Sequence, residues 1–592
     1  MHKGIAVSPG VVVGVAYRVE SVFGSTEPQT LADPEQIPAE IDRFNQAVSL
    51  STVELEAIVL KVAQQLGSAE ADIFKSHLQI VNDQGLLDKV RSLIENQELT
   101  ALSALQIVLQ GYAASFARIE HDYYRERLAD VRDVISRIGS HLTAFPHAMP
   151  ATSNNGSGSE HADEPVILVA HEILPSQAMS LGNLPIAGIV TETGGGTSHA
   201  AILSRSRGIP AVSGVTGITN DVRSGDLMVV DGRDGVVIVR PDREATAAYR
   251  KMQREFFDLK DRLVLNRDQP ALSADGAPIE LLANINNVAD AQAAQKVGAT
   301  GVGLFRTEYL FLTHADVPDE EEQYQHYRQI IEDSPNRAVT IRTLDLGGDK
   351  TVPYLGRRSE ANPFMGWRSI RLSFEHPRLF ERQIRAILRA GRHGKVNMLF
   401  PMITTLEELR YVNRLVEETR RNLRREGVPF GEDVKTGVMV EVPAAAVCID
   451  AILRETDFIS IGSNDLIQYL VAADRDNPKV AHLCEPLSPA IFKVLQMVLD
   501  ACQRTGTPVT LCGEMAGQPR SVLALFGMGL RRFSMSPAFV PTIKALLSSV
   551  TTAQAERFAH QVLQLKTSEE IRGYLTARLH EVSSALEVFD SA

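Results

Sequence analysis

At 592 residues the chain exceeds what one ordinary hydrophobic core can organise, so about two to four domains are expected. Hydrophobic residues at 44% and charged residues at 22% exclude a disordered or fibrous chain, and a net charge of -13 excludes nucleic acid as a general partner while leaving a basic protein open. There is no run of about 18 apolar residues to span a membrane. The apolar run before Pro9-Gly10 is too short for a secretory signal, and Cys448, Cys484, Cys502 and Cys512 form no C-x-x-C pair, which fits a reducing cytoplasm.

The first 18 residues read as short β structure around Ile5, Val7 and Val11 to Val15. From Glu35 to Leu142 the spacing of apolar residues predicts long amphipathic helices over Ile41 to Leu66, Ala69 to Asn82 and Leu102 to Ile138. This stretch is acidic, with 18 Asp/Glu against 10 Lys/Arg between Glu27 and Pro150. Thr152 to Glu164 is a Gly/Ser/Asn-rich loop, after which strands are predicted at Pro165 to Ala170, Ile186 to Val190 and Leu227 to Asp231. A helical insertion between β/α pieces predicts a discontinuous α/β domain, and Asp242 to Leu263 predicts a helical connector. Beyond Ala271, strands starting near Ile279, Gly301, Ala338, Val396, Gly437, Phe458, Pro508 and Arg532 alternate with helices. Eight such units predict a C-terminal (β/α)8 TIM-type barrel, with a doubly wound sheet as the competing fold.

Two constellations carry chemistry. Gly194-Gly195-Gly196-Thr197-Ser198-His199 places a histidine behind a turn-forming triplet and two capping hydroxyls. In the first turn of a helix, free N–H groups and the dipole favour a phosphate, and a neutral imidazole is a competent phosphoryl acceptor. A connecting loop with a capping histidine is the plainer alternative. The second constellation sits at the C-terminal ends of the predicted strands, where barrel active sites form. It comprises Arg306, Arg342, Glu441, Asn464-Asp465 and Cys512-Gly513-Glu514, with Arg368 and Arg475 in loops able to reach the same mouth. Several arginines suit a small polyanionic substrate, and Glu441 with Asp465 offers hard oxygen ligands for Mg2+. Each alone is as readily a structural ion pair or an inert cysteine; their coincidence on five strand ends favours one metal-bound anionic substrate.

These segments resemble Enzyme I of the bacterial phosphotransferase system. The resemblance runs from Lys3-Gly4-Ile5-Ala6-Val7-Ser8-Pro9-Gly10 to beyond Met535, and includes Asn362-Pro363-Phe364-Met365-Gly366-Trp367-Arg368, Ile461-Gly462-Ser463-Asn464-Asp465-Leu466 and Cys512-Gly513-Glu514-Met515-Ala516-Gly517. It implies a multidomain α/β chain. A swivelling phosphohistidine domain (1-25 and 148-238) carries an inserted helical domain (26-147), followed by a linker helix (239-269) and a barrel for substrate binding and dimerisation (270-592). By the same resemblance, His199 is phosphorylated through Nε2. Arg306, Arg342, Asn464, Asp465 and Arg475 meet phosphoenolpyruvate, with Arg368 and Lys350 as supporting charges. Glu441 and Asp465 hold Mg2+, and Cys512 donates a proton. The implied partners are the phosphocarrier protein HPr, docked on the acidic helices through Phe74, His77 and Arg127, and a second copy joined through the barrel, all in the cytoplasm. The chain departs from the family in having Leu174-Pro175-Ser176 where Thr-Pro-Ser is common, which leaves Thr197 or Ser198 to orient the His199 ring. Ser204-Arg205 likewise stands where Ala-Arg is usual, and Val442 where Thr is common.

Two rival readings are weaker. Pyruvate phosphate dikinase and phosphoenolpyruvate synthase need a large ATP-binding module ahead of the histidine, and only 198 residues precede His199. A non-catalytic regulatory relative predicts the loss of an essential group, yet His199, Glu441, Asp465 and Cys512 are all present.

Overall fold

The computed structural model describes the chain except residues 20–27, 66–76, 118–121, 143–163, 174–185, 194–203, 205–207, 314–316, 348–359, 361, 476, 478, 585 and 587–592. The N-terminal strands are β1 (His2–Lys3), β2 (Ile5–Ser8) and β3 (Val11–Arg18). With β4 (Val166–Ala170), β5 (Ile186–Thr191), β6 (Ala211–Ser213), β7 (Leu227–Asp231) and β8 (Val236–Val239) they form one mixed sheet in the order β1-β8-β7-β3-β4-β5-β6-β2. Strands β3 and β4 pair in parallel, Val15 opposite Val166, although more than a hundred residues separate them in the chain. The sheet is therefore discontinuous in sequence. Its two faces bury separate apolar sets, Val12, Ile167, Val169 and Val190 on one and Val7, Leu168 and Ile189 on the other.

The intervening residues form helices α1 (Ile37–Gln65), α2 (Gln84–Gln97), α3 (Ala101–Ala117) and α4 (Asp122–Leu142). Helix α1 buries Phe44, Ala47, Ser51 and Leu55, a three-and-four spacing that makes one apolar stripe. The single helix expected over Leu102 to Ile138 is two helices. Helix α2, which the sequence reading passed over, is started by Asp83 accepting from Leu86 N–H and ended by Glu98 in the left-handed conformation. Of the helix expected over Ala69 to Asn82, residues 69–76 lie outside the described residues, as do residues 152–163 of the expected loop.

The expected connector is helix α5 (Arg243–Leu265). Its Gln253 Oε1 accepts from Val13 N–H at 2.9 Å, which ties it to β3, while Leu263 is buried in the apolar shell of the following barrel. The barrel strands are β9 (Glu280–Ile285), β10 (Val302–Arg306), β11 (Ala338–Arg342), β12 (Lys395–Phe400), β13 (Lys435–Val440), β14 (Phe458–Ile461), β15 (Val509–Leu511) and β16 (Arg532–Met535). All neighbours are parallel, and β16 returns to β9, so the sheet closes and a doubly wound sheet is excluded. Phe305, Phe380, Phe400, Phe492 and Phe526 are fully buried between strands and outer helices, each contributing roughly 1.5–3 kcal/mol. Inside, Leu304, Leu399, Met439, Phe458 and Cys512 form a small apolar layer across the barrel. Among the described residues, no helix is long and apolar enough to cross a membrane.

Candidate active site

The C-terminal rim of the barrel gathers the charged residues anticipated there, and the alternation of the strands explains how. Arg306 and Arg342 end β10 and β11 and lie opposite each other in register. Two adjacent guanidinium groups repel, so each needs compensation. Arg342 is buried and held at 2.9 Å by Glu308 Oε1 and at 3.1 Å by Asp345 Oδ2. Burial alone would lower its pKa, but Glu308, Asp345, Glu441 and Asp465 outweigh that and raise it. Arg306 has no carboxylate within ion-pair distance among the described residues, and burial together with the Arg342 charge pushes its pKa down. It is the guanidinium of this rim best placed to gain from an arriving anion.

Arg368 closes the next side. Its Nη2 lies 3.1 Å from Asp345 Oδ1 and 3.6 Å from Asp465 Oδ2, and its Nη1 donates to Tyr469 Oη at 3.1 Å, whose own hydroxyl donates to the Phe364 carbonyl. Arg475 Nη1 stands 3.2 Å from Asp465 Oδ1. Asn464 Oδ1 accepts from Glu514 N–H at 3.0 Å, which joins the helix after β14 (Ser463–Val471) to the segment after β15. The Nε atoms of Arg342 and Arg368 are buried without a hydrogen bond, so the ring of charge retains unused donors.

Glu441 follows β13 and is 1% exposed. Met402 N–H donates to its Oε1 at 2.7 Å. Burial, then the Asp465 and Asp345 charges, push its carboxyl up to about 8. Gly462 allows this packing, since a Cβ there would stand 2.8 Å from Glu441 Oε2. Asp465 Oδ1 is buried without hydrogen-bond geometry even toward Arg475. Two crowded carboxylates, one with an unsatisfied oxygen, suit a hard divalent cation, which relieves their repulsion. Among the described residues no group of three or more His, Cys, Asp or Glu side chains could hold an ion alone, and Mg2+ shared with substrate and water needs only one or two carboxylates.

Cys512 lies just beyond β15 in the apolar interior layer. Ser460 Oγ donates to its Sγ at 3.2 Å, and the thiol faces the Ile461 carbonyl at 3.4 Å. Burial raises the thiol pKa, opposed by the Ser460 hydrogen bond, so the group rests protonated. The backbone is pinned as well. Asn284 Nδ2 donates to the Cys512 carbonyl at 2.9 Å, and Ser534 Oγ donates to Asn284 Oδ1 at 2.6 Å. A Cβ on Gly513 would fall 1.8 Å from Ser463 Oγ, so glycine is what lets this loop close on the helix that carries Asp465.

The barrel mouth thus brings together Arg306, Arg342, Arg368, Glu441, Asn464, Asp465, Arg475 and Cys512. Sequence reasoning missed Glu308, Asp345 and Tyr469, which orient the arginines, and Asn284, Ser460 and Ser534, which fix the cysteine. Glu308 and Asp345 had a usable signal, each standing two or three residues after an arginine.

His199, Lys350 and Phe74 lie outside the described residues, as do Leu174, Thr197 and Ser198; Arg127 belongs to α4, with its side chain outside them. Strand β5 leads toward the histidine motif. Just beyond it Glu192 Oε1 accepts from Gly217 N–H at 2.7 Å, and Glu192 Oε2 lies 3.1 Å from His171 Nδ1. The His77 ring is fully buried, with Nε2 3.3 Å from Asp130 Oδ1 and Nδ1 3.9 Å from Asp133 Oδ2, so it braces α4 from within.

Comparison with known proteins follows the same division of the chain. Family models described as PEP-utilising enzyme match in three parts: N-terminal over residues 3–127, mobile domain over 162–235 and PEP-binding domain over 260–552. These place the barrel and its rim in the class of PEP-utilising enzymes. The phosphoenolpyruvate-protein phosphotransferase of Staphylococcus carnosus is 38% identical over 96% of this chain and 97% of its own. That of Geobacillus stearothermophilus is 39% identical over 97% of each, and that of Bacillus subtilis 36% identical over 97% of this chain and 98% of its own. The chain belongs to the phosphoenolpyruvate-protein phosphotransferase family.

Proposed function

We propose that the chain transfers the phosphoryl group of phosphoenolpyruvate to its own His199 and from there to the phosphocarrier HPr, releasing pyruvate as the first step of sugar uptake by a phosphotransferase system. The observation that carries this reading is the barrel-end ring of arginines around a protonated, buried Cys512, in a chain of this family. Arg306, Arg342 and Arg475 grip the phosphate and carboxylate, Asn464 orients them, and Arg368 and Lys350 add positive charge. Loss of the phosphoryl group leaves an enolate, and Cys512 Sγ delivers the proton that makes the methyl group of pyruvate. Glu441 and Asp465 hold Mg2+, which when bound neutralises charge on the phosphoryl and enolate oxygens.

His199 then meets HPr at the acidic helical unit, whose charge speeds encounter with a basic face. A cytoplasmic homodimer joined through the barrels completes the reading.

Protein incubated with Mg2+ and labelled phosphoenolpyruvate is expected to gain an acid-labile, base-stable phosphate, and His199→Ala to abolish it. Labelling from ATP, or undiminished labelling of the variant, rejects the reading. Adding HPr should discharge the label onto the carrier.

A further inference from the structure

We propose that Ser460 passes solvent protons to Cys512 from a solvent-accessible cavity in the lower half of the barrel, so that the thiol is recharged from beneath the site and not through the substrate mouth. The proposal rests on the reading of Cys512 as proton donor to the enolate carbon. Its geometric basis is that one hydroxyl touches both sides of the barrel's interior layer. Ser460 Oγ donates to Cys512 Sγ at 3.2 Å. The same residue stands at the upper end of a cavity of about 960 Å³ that also exposes Thr340, Asn397 and Thr510, with Glu280 and Arg532 at its lower rim. Gly303 and Gly437, on two of the strands, let neighbouring side chains pack inward: a Cβ on Gly437 would meet the Phe458 ring at 2.3 Å and one on Gly303 would meet Ser534 Oγ at 2.5 Å. Hydroxyl, amide and charged groups, Lys395 and Asp457 among them, stand between apolar walls such as Leu282 and Val339, and a space of this size with those partners holds water. Above it, Leu304, Leu399, Met439 and Phe458 pack with Cys512 into an apolar layer, and Ser460 supplies a polar link through it.

The steps balance with solvent as the sole co-reactant. The enolate carbon takes the proton from Sγ–H, forming the C–H bond of pyruvate and leaving a thiolate. The thiolate takes the hydroxyl proton of Ser460 as Oγ takes one from cavity water, which is restored by hydronium from bulk solvent. One solvent proton is consumed for each pyruvate released. Ser460 acts through Cys512 and is a positioning residue, outside contact with substrate.

The test follows pyruvate formation over successive turnovers of the full chain with phosphoenolpyruvate, Mg2+ and HPr as acceptor, in mixtures of H2O and D2O, because every turnover after the first requires Cys512 to be recharged. Ser460→Ala is expected to slow the step at least about tenfold, below the ~10²–10⁴ of a direct general acid, with phosphoenolpyruvate affinity unchanged. The rate of the wild type should curve against the D2O fraction, as a relay of several protons requires, and that of Ser460→Ala should become linear. Ser460→Thr should recover most of the rate. Asn397→Leu, which puts an apolar chain into the cavity away from Cys512, should also slow the step. A full rate in Ser460→Ala, a linear wild-type dependence, or an unaffected Asn397→Leu overturns the relay. Cys512→Ala separates the two ideas: if it is impaired while Ser460→Ala is not, only the relay fails, and if it keeps the full rate the proton-donor reading itself fails.

Discussion

Arg342→Met is expected to lower kcat/KM for phosphoenolpyruvate by about 10³-fold or more and to destabilise the barrel by about 3–5 kcal/mol in the same protein. The two losses have different origins. On the proposed reading the planar fork of Arg342 makes charge-assisted bonds to the substrate polyanion, which methionine cannot replace. The stability loss arises among the buried carboxylates, where Glu308 is left without a counter-charge and Asp345 keeps only Arg368. Arg342→Lys therefore should recover much of the stability and little of the activity, because an ammonium restores charge without the fork. Adding Glu308→Gln to Arg342→Met should likewise restore part of the stability alone. Denaturant midpoints at constant m-value report the first effect and steady-state kinetics the second. Arg342→Met with wild-type melting and turnover would show that the buried pairs neither hold the rim nor meet the substrate.

Much of the barrel was legible because its signals are local. Every expected strand start lies within two residues of an observed one, since short apolar runs bounded by turns leave little room for slippage. The helical segment was read less well. A continuous apolar spacing from Leu102 to Ile138 gave no sign of division, and the short helix behind Asp83 was hidden by Gly85 near its start. At the site, strand-end arginines and carboxylates were visible because the barrel topology itself says which end carries chemistry. Pairings across the interior were not. Asn284 and Cys512 are 228 positions apart, and Ser460 and Cys512 are 52 apart; alternation says that such residues face inward without saying which of them meet. The burial of His77 beside Asp130 and Asp133 was equally invisible, since those residues lie more than fifty positions away along the chain.

Glu441→Gln is expected to cut turnover by about 10²-fold or more, beyond the 10–100-fold typical of residues that merely orient a ligand, and to change how stability depends on pH. The carboxyl has a folded-state pKa near 8, raised by burial and by Asp465 and Asp345, against about 4.3 in an unfolded chain. Below the lower value it is neutral in both states, and its stabilising contribution is fully present. As pH rises toward 8 the unfolded chain gives up the proton and the folded chain keeps it, so unfolding is favoured by up to about 1.4 kcal/mol per pH unit across that window. Metal-free protein should therefore melt progressively lower between pH 5 and 8, and Glu441→Gln, which cannot ionise, should flatten the slope. On the proposed reading Mg2+ should reverse the sign of the effect, because it would bind the ionised pair and stabilise only the folded chain. At pH 8 Mg2+ should raise the melting temperature of the wild type far more than that of Glu441→Gln, and apparent Mg2+ affinity should tighten with pH. Calorimetry with and without Mg2+ reads both. A wild-type melting temperature that is flat from pH 5 to 8 would remove the crowded carboxylate from the account. Equal protection of the variant by Mg2+ would place the cation elsewhere.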